Sequence, residues 1–80
     1  MANLDIHRAA EKGLLDDVKR FIAAGGDVNL RGLLSLTPLH AAAAGGQTEA
    51  LGMLLAAGAA VDSRDRRGNT PLHRAVYFGQ

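Results

Sequence analysis

Three histidines carry the chain's most chemically versatile side chains, and they recur at one interval: His7, His40 and His73 lie 33 residues apart. Imidazole can ligate a metal or move a proton near neutral pH. Either role needs several such groups to converge on one point. The chain has no cysteine, and no carboxylate cluster completes a zinc site around the histidines. In a stack of repeats the rings would sit about 10 Å apart, the distance between packed helices, which is too far to share an ion. The histidines read as repeated structural parts.

The other candidates for catalysis are weaker. Ser35 and Ser63 lie in loop-like stretches without a nucleophile elbow around them. Asp16 and Asp17 are adjacent, but neighbours on a helix point about 100° apart, and a place in the first turn of a helix accounts for both. Gly25-Gly26 and Gly45-Gly46 neither follow a strand nor precede a lysine motif, so they are not phosphate loops. The sequence predicts no enzyme, no cofactor and no metal.

The elements that position the histidines are legible from their neighbours. Thr37-Pro38-Leu39-His40 precedes three alanines, and Thr70-Pro71-Leu72-His73 precedes Arg74-Ala75-Val76. Threonine caps a helix by accepting an orphan N–H, and proline suits the first helical position. The leucine opens an apolar stripe, and the alanines let a second helix come close. Gly13, Gly46 and Gly79 share one phase and end each short helix. First helices are therefore predicted from Leu4 to Lys12, with Asn3 or Asp5 as cap, over 38–44, and from Pro71 to Phe78.

Second helices are predicted over 15–24 and 48–57. Val18, Phe21 and Ile22 form one apolar face there, as do Leu51, Leu54 and Leu55. Asp16, Asp17 and Glu49 stand in the first turns, where the helix dipole favours them. Gly52 costs about 1 kcal/mol against alanine inside a helix, which predicts close packing at that point. The chain divides into repeats at 1–31, 32–64 and a partial third at 65–80, which stops after its first helix.

Length and composition fit one small domain. Eighty residues bury only roughly 60% of their unfolded surface, so the stability margin is thin. The formal charge is +1 with acids and bases interspersed, which calls for neither nucleic acid nor an anionic membrane. No signal peptide is recognisable at the N-terminus, and no apolar run is long enough to span a bilayer. A soluble, cytoplasmic protein is predicted.

The frame closely resembles the ankyrin repeat. Gly68-Asn69-Thr70-Pro71-Leu72-His73 matches the family's most specific stretch in full. The second unit matches through Thr37, Pro38, Leu39, His40, Ala42, Ala43, Gly46, Glu49, Leu54, Leu55, Gly58 and Val61. The first matches more loosely, through His7, Ala9, Ala10, Gly13, Gly25, Asp27, Val28 and Asn29. The resemblance implies an all-α, helix-turn-helix α-solenoid, with antiparallel helix pairs and hairpin-like loops projecting at right angles. It implies that each histidine is structural, bonded to the threonine side and to loop backbone. It also implies a protein–protein interaction module that binds through loop tips and the concave first-helix face.

Two departures from that frame matter. Gly32 and Ser35 stand where the family usually has aspartate and glycine, which predicts a distorted turn with apolar side chains exposed. The ending at Gln80 leaves the layer of Leu51, Leu54 and Leu55 partly uncovered. Alternatives to a simple binding module are therefore a self-associating structural unit, a homo-oligomer through that end, or an N-terminal regulatory fragment of a longer ankyrin-repeat protein.

The candidate contact residues follow. Leu33, Leu34 and Leu36 form an apolar tip, of the kind that marks contact sites; the alternative is that they fold back over the weak turn. In the next tip, Asp65 sits at the family's aspartate position and ties the turn, while Arg66 and Arg67 point outward toward an acidic partner. Two arginines without an aromatic platform do not make a nucleic-acid groove. Tyr77 is a candidate anchor, beside a shallow depression left by Ala44 and Gly45, and Phe78 either shares the surface or packs inward. Arg8, Glu11, Lys12 and Arg74 edge this surface.

Overall fold

The structure, a computed structural model, describes residues 5–77, with Val76 and Tyr77 given by their backbone alone. Among these residues there are five α-helices and no strand: α1 Ile6–Lys12, α2 Leu15–Ala23, α3 Pro38–Ala44, α4 Thr48–Ala56 and α5 Pro71–Tyr77. The first helices form one row, α1 on α3 on α5, and the second helices form another, α2 on α4. The fold is the all-α helix-turn-helix stack that the repeat predicts.

Local chemistry sets the helix ends. Asp5 caps α1 by accepting the N–H of Arg8 at 3.2 Å, so the helix starts at Ile6 and not at Leu4. Asn3, the other candidate cap, lies outside the described residues, as do Phe78 and Gly79. Thr37 caps α3 with its hydroxyl, and the His40 ring reaches back to the Thr37 N–H, so the pair closes both ends of a capping box. The second helices have no side-chain cap; Leu14 and Gln47 precede them. Their stability must come from packing.

That packing is apolar and tight. Ile6, Ala10, Val18, Leu39, Ala42 and Leu54 are buried in one core. A Cβ on Gly45 would run into the carbonyl oxygen of Glu11. The backbones of α1 and α3 therefore touch at that point, and only glycine fits.

Gly52 behaves otherwise. It is exposed, and a Cβ there would meet nothing within 4 Å. The close packing predicted for it is absent. The predicted layer of Leu51, Leu54 and Leu55 is split: Leu54 is fully buried, Leu51 is half-buried and Leu55 is 39% exposed.

Candidate binding surface

The histidines fix the loops to the helices. His40 is fully buried. Its Nε2–H donates to the Asn69 carbonyl at 2.8 Å, while Nδ1 accepts from the Thr37 N–H at 3.2 Å. A carbonyl can only accept, so these partners require the neutral ring with its proton on Nε2. Burial holds the His40 pKa below its ordinary value, outweighing the pull of the Asn69 carbonyl and of Asp65. His7 repeats the arrangement one unit earlier, its Nε2 donating to the carbonyls of Leu30 at 2.8 Å and Leu36 at 3.1 Å. His73 binds Thr70 through Nδ1 at 2.9 Å.

The two tips close by different chemistry. In the second, the Asp65 N–H donates to the Asn69 carbonyl, and the N–H of Gly68, at φ 82°, donates to the Asp65 carbonyl at 2.9 Å. Oδ1 of Asp65 accepts the N–H groups of Arg67 and Asn69, both at 2.9 Å. Its Oδ2 meets Arg74 Nε at 3.2 Å. Burial pulls the Asp65 carboxyl upward, but these donors and the Arg74 guanidinium outweigh it and leave the carboxyl below its ordinary value.

The first tip has neither the carboxylate nor the glycine. Gly32 still donates to Leu36 at 2.8 Å, so the hairpin outline survives. The turn keeps the equivalent of the Gly68–Asp65 bond, with the Ser35 N–H on the Gly32 carbonyl at 3.1 Å, and adds one from the Leu36 N–H to the Leu33 carbonyl at 3.1 Å, with Leu34 at φ 58° and Ser35 at φ 59°. Positive φ at both central positions is the pattern of a type I′ turn, which Asn-Gly favours and a leucine opposes. The turn is thus distorted as predicted, at two residues.

The tips are also tied to each other. The Arg66 N–H donates to the Leu34 carbonyl at 2.9 Å. Arg31 spans both tips, donating to the Ser35 carbonyl at 2.8 Å and the Arg64 carbonyl at 2.7 Å. Below them the Ala60 N–H donates to Asn29 Oδ1 at 2.8 Å. Sequence reading passed over Arg31; its signal was Arg64, 33 residues on, which clamps the second tip through the Gly68 carbonyl at 2.8 Å.

The predicted contact residues fall into two groups. Arg8, Glu11, Leu33, Leu36 and Arg74 gather around one hollow of about 390 Å³, floored by Ala41 and Ala44 of α3. Leu34, Lys12, Arg66 and Arg67 are exposed but stand outside it. Leu33 is 83% exposed, Leu34 44% and Leu36 half-buried, so only Leu36 folds back in part. Arg74 is more structural than an edge residue, since it pairs with the buried Asp65. The Tyr77 side chain lies outside the described residues.

Ala41 was missed by sequence reading. The signal is the row of residues at one phase: Arg8, Ala41 and Arg74, then Glu11, Ala44 and Tyr77. In both rows a methyl group stands between longer side chains. Among the described residues no group of three or more His, Asp or Glu side chains is gathered for a metal, and no helix is long and apolar enough to cross a membrane. A family model described as ankyrin repeats (3 copies) matches residues 6–80. A search of the curated proteins finds no match to the chain.

Proposed function

The chain belongs to the ankyrin-repeat family, whose members generally act as protein–protein interaction modules, and from that premise we propose that it is a non-catalytic module binding another protein through its two tips and the face of its first helices. The observation that carries this reading is the hollow between Leu33, Leu36, Ala41 and Ala44, continuous with the exposed Leu33 and Leu34. An apolar tip beside an apolar-floored depression is a surface that gains by being covered. Arg66 and Arg67 are exposed next to it, and they favour an acidic partner surface and an association rate that falls with salt. The partner-binding residues in this reading are Leu33, Leu34, Leu36, Arg66, Arg67 and Tyr77, edged by Arg8, Glu11, Lys12 and Arg74. A cytoplasmic setting, three units at 1–31, 32–64 and 65–80, and no role for nucleic acid or membrane belong to the same proposal.

The test is a photo-crosslinking residue placed at Leu33, compared with one at the exposed Lys19 of α2, in lysate from the source. A protein captured from position 33 and absent from position 19 supports the reading. Equal capture from both positions, or none from position 33, overturns it.

A second reading, self-association, has its own observation. Leu55, Val61 and Leu72 surround an apolar hollow of about 170 Å³ at the α4–α5 end, and Leu72 is 73% exposed. Sedimentation of the chain over a range of concentrations decides it: a rising mass that Leu72→Ser abolishes would support a homo-oligomer.

A further inference from the structure

The hollow on α3 exists because one pair of residues is missing. In the later unit, the buried Asp65 and the Arg74 guanidinium meet at 3.2 Å. The same positions one unit earlier are Gly32 and Ala41. Neither the carboxylate nor the long cation is present there, and the space above Ala41 stays open between Arg8 on α1 and Arg74 on α5. Ala41 and Ala44 offer methyl groups, the tip end offers Leu33 and Leu36, and His7 and His40 also line the space.

Charge is distributed unevenly around this opening. Asp5, Arg8 and Glu11 lie on the α1 side. The tip side carries Arg66 and Arg67, whose side chains make no hydrogen bond or ion pair among the described residues, and Arg66 is held against the first tip through the Leu34 carbonyl at 2.9 Å. An apolar group entering the hollow therefore has two arginines at the tip flank, whereas the α1 flank carries charges of both signs.

Resting on the reading of this face as a protein-binding surface, we infer that the hollow over Ala41 and Ala44 receives one apolar side chain of a partner segment, and that the segment carries a carboxylate on the tip side to meet Arg66 and Arg67. Leucine-sized groups fit the open volume, and burying one against methyl and leucine walls is favourable by the area it removes from water. The carboxylate sets the direction in which the segment lies. Ala41 is then the specificity-determining residue: an arginine there would refill the space as Arg74 fills its own.

The probe is a displayed library of random peptides, selected on the full chain and counter-screened on Ala41→Arg. Arginine already occupies the same phase in α5 and is a good helix former, so the variant should fold, which circular dichroism and melting would check. Ala44→Tyr, matching Tyr77 in the same row, serves if it does not. The expected result is enrichment of peptides with an apolar residue close to Asp or Glu, and a loss of affinity of at least about tenfold on the variant. Peptides that bind Ala41→Arg or Ala44→Tyr as well as the native chain but lose affinity for Leu33→Ser would overturn the hollow and leave the tip surface standing. Enriched peptides lacking the apolar–acidic pairing would overturn the inference. No peptide retained by the native chain would sink the inference and the binding-module reading together.

Discussion

Asp65 and Arg74 meet at 3.2 Å with the Asp65 side chain almost wholly out of water. The same carboxylate accepts the N–H groups of Arg67 and Asn69, so one side chain joins the second tip to α5. Removing it takes an acceptor from a cation and from two backbone donors at once. Asp65→Ala should destabilise the chain by about 2–4 kcal/mol. Denaturant titration checks this, and a loss below about 0.5 kcal/mol would show that the pair contributes no more than a surface bridge.

Acid should act in two stages. The His40 pKa lies below 6.5 in the folded chain, so the unfolded chain binds the proton first as pH drops. The stability from the neutral ring is fully present above about pH 6.5 and is lost as pH falls through the lower folded value. Asp65 follows the same sign from 3.8 downward. Unfolding free energy measured against pH should fall below 6.5 and again below 3.8. In His40→Asn the first decline should be missing.

The first tip is held in a conformation its residues oppose. Leu34 and Ser35 at φ 58° and 59° should yield stability when replaced by Asn-Gly, the pair suited to such a turn. The expected gain is about 1–2 kcal/mol, read as a higher melting temperature. If the tip is a contact, partner binding should weaken in that same variant. A rise in stability with binding intact would remove Leu34 from the surface.

Two glycines should answer alanine with opposite signs. Gly52→Ala adds a methyl into open space on α4 and should stabilise by about 1 kcal/mol. Gly45→Ala sets a methyl against the Glu11 carbonyl and should cost about 1–3 kcal/mol as α1 and α3 are pushed apart. Equal effects in thermal melts would contradict the packing described.

Much of the fold was legible because it depends on local rules repeated at one interval. Thr37-Pro38 fixes a helix start from sequence alone, and the phase of His7, His40 and His73 gives the repeat. The missing carboxylate and glycine at Gly32 and Ser35 pointed to an irregular tip. What they did not give was the second positive φ, at Leu34, which accompanies the added bond from the Leu36 N–H to the Leu33 carbonyl. Gly52 was misread because propensity records a cost without saying which side of the helix faces a neighbour. The hollow was legible only at Ala44, as the shallow depression expected there; its Ala41 part was not, for a related reason: an alanine means little until Arg8 and Arg74 are known to stand on either side.

The ties between the tips have a mechanical consequence. Arg66 to Leu34, Arg31 to Arg64 and Ala60 to Asn29 all cross from one unit to the next along a single edge. At the opposite edge no hydrogen bond joins α2 to α4 among the described residues; they meet through apolar side chains, and such contacts tolerate sliding. The stack should open like a book, with its spine along the loops and its pages the second helices. A load applied at the tips would meet directional bonds arranged side by side, whereas heat would separate α4 from α2 first. Amide hydrogen exchange should therefore be slower at Ala60 and Arg66 than their place in loops suggests.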